Sequence, residues 1–171
     1  VSLAFTEDNL MTWTDASTGV EKVLPGTWRG ANRYGLTKLS PDGRYVAAST
    51  YGTGIGRKSH INVWDVETQA SVGSFGRFLK SCHSVGFSPD GMRLIGGGSG
   101  HESIKIWDVE SQQELMTLET ETGPFFHARF TPDGQVVTAT SEGGMTYCWR
   151  APSWDEINAA EARQQIGSSS Q

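Results

Sequence analysis

The turn Ser40-Pro41-Asp42-Gly43 returns as Ser88-Pro89-Asp90-Gly91 and again as Thr131-Pro132-Asp133-Gly134, 48 and then 43 residues further on. A second ladder runs in step with it, since Trp64-Asp65, Trp107-Asp108 and Trp149-Arg150 stand 43 and 42 residues apart. Two ladders with one period make the chain a repeat array, in which each unit buries its apolar surface against its neighbours. A weaker copy precedes them: LAFTEDN at 3–9 aligns with VGFSPDG at 85–91, and WTDASTG at 13–19 with the stretch that starts at Trp107. Four units are therefore expected, the first of them shortened.

Within a unit the apolar period is two. In the third, SVGF (84–87), RLIGG (93–97), SIKIW (103–107) and ELMTL (114–118) read as four short strands. The turn between the first two has a mechanism: Pro89 presets the dihedral of the second position of a type I turn, Asp90 tolerates the third, and Gly91 supplies the fourth. No strand is followed by a helical pattern long enough for a crossover, so the sheets are antiparallel meanders. With 36% apolar residues in 171 the chain can build a core, and its 21 glycines suit many tight turns. Four-stranded repeats of this length are blades of a propeller.

The Ser-Pro-Asp-Gly turn, the Trp-Asp pair ending the third strand and the period near 43 resemble the WD-repeat β-propellers over residues 1–150. The resemblance implies an all-β fold, a β-propeller of four-stranded antiparallel blades with about four blades present and a short C-terminal α-helix. The Gly-His dipeptide of that family is missing from every unit. Lys58, His101 and Gly143 replace its aspartate six residues before the tryptophan, so the family's Asp-His-Ser-Trp network does not carry over.

Residues 151–171 read as a separate tail. Ser153 and Glu156 form a capping box for a helix over about 154–165, with Trp154, Ile157 and Ala160 on one apolar stripe expected to dock on the last blade. This ending resembles the C-termini of large bacterial WD-repeat proteins, many of which carry a serine/threonine kinase or other signalling module upstream. The last unit offers strands at 126–131, 135–140 and 145–150 and then turns to helix. In the resembled family the missing outer strand comes from the start of the ring, which implies the C-terminal portion of a longer propeller.

Catalytic patterns are sparse. YGTGIGRKS (51–59) approaches the phosphate-cradling G-x-x-x-x-G-K-[ST], but Arg57 stands for its last glycine and a strand, HINVW (60–64), follows where a helix is needed. The loop reads as an extended hairpin tip. His60, His83, His101 and His127 have no nucleophile or carboxylate at a suggestive spacing, and the His101-Glu102 pair would need two further metal ligands. Cys82 and Cys148 stand alone. The reading is a non-catalytic segment with no cofactor and no metal, the alternative being a lactonase-like enzyme with its site in the central channel.

The expected function is capture of a protein or peptide partner, as a scaffold or sensor within a signalling protein. The resemblance puts the loops from fourth strand to first, and from second to third, on one face. Here these are about 26–34, 52–59 and 77–82, which hold Arg29, Arg33, Arg57, Lys58, Arg77 and Lys80, six of the fourteen basic residues, and no Asp or Glu. Trp28, Tyr34 and Phe78 lie among them. Arginine with aromatic residues is the composition enriched at interfaces, and a one-sign patch attracts an acidic or phosphorylated segment. Nucleic acid is the rival, disfavoured by the formal net charge of −5, and no apolar run is long enough to span a membrane.

Overall fold

The computed structural model describes residues 2–5, 11–24, 34–50, 58–78, 81–99, 104–120 and 124–151. They form fourteen strands in four antiparallel sheets, each a meander. Sheet 1 holds β1 (Ser2–Phe5), β2 (Met11–Thr14) and β3 (Glu21–Leu24). Sheet 2 holds β4 (Tyr34–Leu39), β5 (Tyr45–Thr50), β6 (Ser59–Asp65) and β7 (Ser71–Phe78). Sheet 3 holds β8 (Cys82–Phe87), β9 (Arg93–Gly98), β10 (Ile104–Asp108) and β11 (Glu114–Leu118). Sheet 4 holds β12 (Phe125–Phe130), β13 (Val136–Ser141) and β14 (Thr146–Arg150). The first strands β4, β8 and β12 lie side by side, as the inner strands of successive propeller blades do. The expected tail helix lies outside the described residues.

The repeated turn closes as its sequence requires. The Gly43 N–H donates to the Ser40 carbonyl at 2.9 Å, the Ser40 hydroxyl donates to Asp42 Oδ1 at 2.6 Å, and the Arg44 N–H donates to the same oxygen at 3.0 Å. Ser88 with Asp90, and Thr131 with Asp133, repeat the arrangement. Gly43, Gly91 and Gly134 all sit at φ between 71° and 76°, where a side chain is strained, so the fourth turn position is glycine each time.

A second turn follows the third strand. Asp65 Oδ1 accepts from the N–H groups of Glu67 and Thr68, Asp108 Oδ1 from Ser111, and Asp15 Oδ1 from Ser17. This turn fixes the register of sheet 1. Asp15 corresponds to Asp65 and Asp108, so Thr14, not Trp13, occupies the ladder position, and β1, β2 and β3 are the second, third and fourth strands of their unit. The expected match of LAFTEDN to a first strand and its turn is therefore corrected. Trp13 falls instead in the column of Val63 and Ile106.

That shift matters because side chains alternate between faces. Trp64 and Trp107 face the preceding sheet, whereas Val63 and Ile106 face the following one. Three cores result. Trp13 packs toward Val46, Ala48 and Trp64 between sheets 1 and 2. Ala47, Ile61, Val63, Phe75 and Phe78 meet Val85, Leu94 and Trp107 between sheets 2 and 3. Ile95, Ile104 and Ile106 meet Phe125, Ala128 and Val137 between sheets 3 and 4. In sheet 4 the residues aligned with that isoleucine trio are Thr138, Cys148 and Thr146, half-buried or exposed. The outward face of sheet 4 is thus polar where the corresponding face of sheet 3 is aliphatic.

Candidate functional site

Pairing brings the stems of the basic loops together. Tyr34 pairs with Thr50, and Ser59 with Phe78, so residues 25–33, 51–58 and 79–81 connect strands at one end of sheets 2 and 3. Of the expected contact residues, Trp28, Arg29, Arg33, Arg57 and Lys80 lie outside the described residues, as do the side chains of Tyr34 and Arg77. Lys58 is exposed at this end. Phe78 is a correction: it is buried, 1% exposed, with its ring against Trp107, so it packs the core and is closed to a partner.

The opposite end carries the turns and is acidic. Hydrogen bonds from Ser40, Ser88 and Thr131 hold Asp42, Asp90 and Asp133 below the usual carboxylate range. The Thr68 N–H does the same for Asp65, joined by Arg44, whose Nε lies 3.2 Å from Asp65 Oδ2, and the Ser111 N–H does so for Asp108.

Between the inner strands, on the side of these turns, lies a groove of about 460 Å³. Leu36, Leu39, Val85 and Phe87 give it an apolar wall, and Lys38, His127 and Arg129 give it basic groups; among the described residues no Asp or Glu lines it. Lys38, Gly86 and Arg129 each stand two residues before the repeated turn, so they are one column of three successive units. A Cβ at Gly86 would lie 3.2 Å from Ile95 Cγ2 and 3.5 Å from the Ala128 carbonyl oxygen, so the strands pack closely at this position. All three inner strands are bulged, β4 between Tyr34 and Thr37, β8 between Cys82 and Ser84, and β12 between Phe126 and Arg129. In β12 the bulge sets His127 in the left-handed region at φ 57°, and bulges re-aim side chains in this way.

One histidine contact escaped the sequence reading. His83 Nε2 lies 2.9 Å from Ser99 Oγ, although the two are sixteen residues apart, and the His83 ring meets Phe126 edge-on. Burial lowers the pKa of His83, and Glu142 opposes the shift. Its neighbour Cys82 is buried, with a thiol pushed up to about 12, which makes it a poor nucleophile. Among the described residues no group of three His, Cys, Asp or Glu side chains is placed to hold a metal ion. No helix among them is long and apolar enough to cross a membrane.

The sequence pattern of the family described as "WD domain, G-beta repeat" matches residues 72–108, which run from β7 through β10. Residues 72–108 thus match one WD repeat. The chain is also similar to an uncharacterized WD repeat-containing protein of Synechocystis, 27% identical over 134 residues. That match covers 78% of this chain and 36% of the relative, so the chain spans about a third of the relative's length. The WD-repeat match falls on the two four-stranded sheets and the core between them, where the turn and tryptophan ladders are both present.

Proposed function

We propose that this chain is a non-catalytic WD-repeat propeller module that captures a protein or peptide partner, serving as a scaffold or sensor part of a signalling protein. One observation carries the reading: the loop stems at Tyr34, Thr50, Ser59 and Phe78 share one end of the sheets, and the loops they bear hold five basic residues and no acid, with Arg77 next to the stem in β7. Three loops of one sign on a chain of net charge −5 steer an acidic or phosphorylated segment toward them. The acidic turns at the other end repel the same segment and so orient it.

The test is a peptide array of acidic, phosphorylated, neutral and basic segments probed with the purified chain at two salt concentrations. Acidic and phosphorylated peptides are retained, and the double variant Arg57→Glu, Lys58→Glu loses both the retention and its salt dependence. Arg93→Glu, exposed at the opposite end, leaves retention unchanged. Equal retention of neutral peptides, or equal loss in Arg93→Glu, removes the proposal. The His83–Ser99 contact is the one observation on the side of a central-channel hydrolase, and ester hydrolysis abolished by Ser99→Ala would favour that second reading.

A further inference from the structure

The groove on the inner strands differs from the basic loops in place and in chemistry. Pro41 and Phe87 set it toward the repeated turns, whereas the loops leave the other end of the same strands. It lies in acidic surroundings, with Asp42 and Asp90 held ionised in the adjoining turns, yet among the described residues the ionisable side chains that line it are Lys38, His127 and Arg129. Among the described residues neither Lys38 nor Arg129 has a side-chain hydrogen bond or ion pair, while Arg44 and Lys105 each have a carboxylate partner. Two uncompensated cations facing one space repel each other, and an anion between them reverses the sign of that interaction.

We infer that the groove is a binding site for a small amphipathic organic anion. Arg129 offers a planar fork that fits a carboxylate or phosphate through two hydrogen bonds, and Lys38 adds a point charge from the other side of Gly86. His127, turned by the β12 bulge, supplies a further N–H donor at the rim. The ligand's body is apolar because the opposing wall is Leu36, Leu39, Val85 and Phe87, with Leu36 left 44% exposed. A volume of about 460 Å³ suits one small molecule and not a folded partner.

Calorimetry and ligand-observed NMR on the full chain test the site with four probes: 1-naphthyl phosphate, 1-naphthaleneacetate, the neutral 1-naphthaleneacetamide and inorganic phosphate. Both aromatic anions bind, at least tenfold more tightly than the amide and than inorganic phosphate. The ratio between the two anions distinguishes a phosphate from a carboxylate source. Lys38→Gln and Arg129→Gln each weaken the anions tenfold or more without moving the melting temperature of the unliganded chain. The loop variant Arg57→Glu, Lys58→Glu leaves them unchanged, which separates this site from peptide capture. Equal binding of the amide, equal binding of inorganic phosphate, or full affinity in the Lys38→Gln, Arg129→Gln double variant overturns the inference.

Discussion

Phe78 meets Trp107 edge-on, ring centroids 5.9 Å apart and planes at 80°, across the boundary between sheets 2 and 3. Phe75 meets the same indole at 6.4 Å, so one ladder tryptophan is clasped by two rings of the preceding sheet. Truncation of either partner leaves a cavity, since both side chains are buried. Trp107→Ala is expected to cost about 3–5 kcal/mol in denaturant unfolding. A double-mutant cycle with Phe78→Ala should return a coupling of about 0.5–1.5 kcal/mol, and additivity would place the contact outside the stabilising core.

Glycine in β9 is demanded by its neighbours and not by its backbone angles. A Cβ on Gly97 would lie 2.7 Å from the Phe125 carbonyl oxygen, and one on Gly96 would lie 2.7 Å from Ile61 Cδ1 and 2.8 Å from Phe78 Cζ. Side-chain tips can yield and a backbone carbonyl cannot. Gly97→Ala should therefore destabilise more than Gly96→Ala, by about 1–3 kcal/mol or above, while Gly143→Ala, with open space around it, stays near neutral in thermal melts.

Acid lability follows from the turns. Asp42, Asp90 and Asp133 have folded-state pKa values below their ordinary 3.8, so the stability they confer is present above that value and lost as pH falls through the folded values. The contribution of these three turns to the melting temperature should be level through the mildly acidic range and fall below about pH 4. Replacement of Ser88 by Ala removes the first donor to Asp90 and should soften that acid limb; an unchanged limb would sink the assignment.

His83 acts at a higher pH with the same sign. Its folded value lies below 6.5 through burial, so the neutral ring is favoured in the fold and stability falls as pH drops from 6.5 through that value. NMR titration should find its imidazole titrating below the unfolded reference. Glu142→Gln, which removes the opposing carboxylate, should lower it further.

The two cysteines should part cleanly under a thiol reagent. Cys148 is exposed on β14 and should react in the native chain, whereas Cys82, buried and pushed up to about 12, should react only after denaturant is added. Two labels in the native state would contradict the packing at the start of β8.

Strand positions were legible in the sequence because turn chemistry is local. RLIGG at 93–97 became Arg93–Gly98, and ELMTL at 114–118 kept its bounds. The first unit misled because Trp13 lies one residue from the ladder position, and an indole there is indistinguishable in sequence from one on the other face. The Asp15 turn decides it. The groove was hidden because Lys38 and Arg129 are distant in the chain, yet stacking the units on their turns puts Lys, Gly and Arg in one column. His83 and Ser99 had no such signal, since a β-bulge between Cys82 and Ser84 brings them together and nothing local in the sequence marks it.

The polar outward face of sheet 4 gives the array a direction. With Thr138, Thr146 and Cys148 where sheet 3 has Ile95, Ile104 and Ile106, a layer of water on that side costs little. Fraying then enters through β14 and travels inward, halting at the aromatic clasp around Trp107. Amide exchange would record it as a gradient of protection along the chain, shallow in sheet 4 and steepest in β9 and β10.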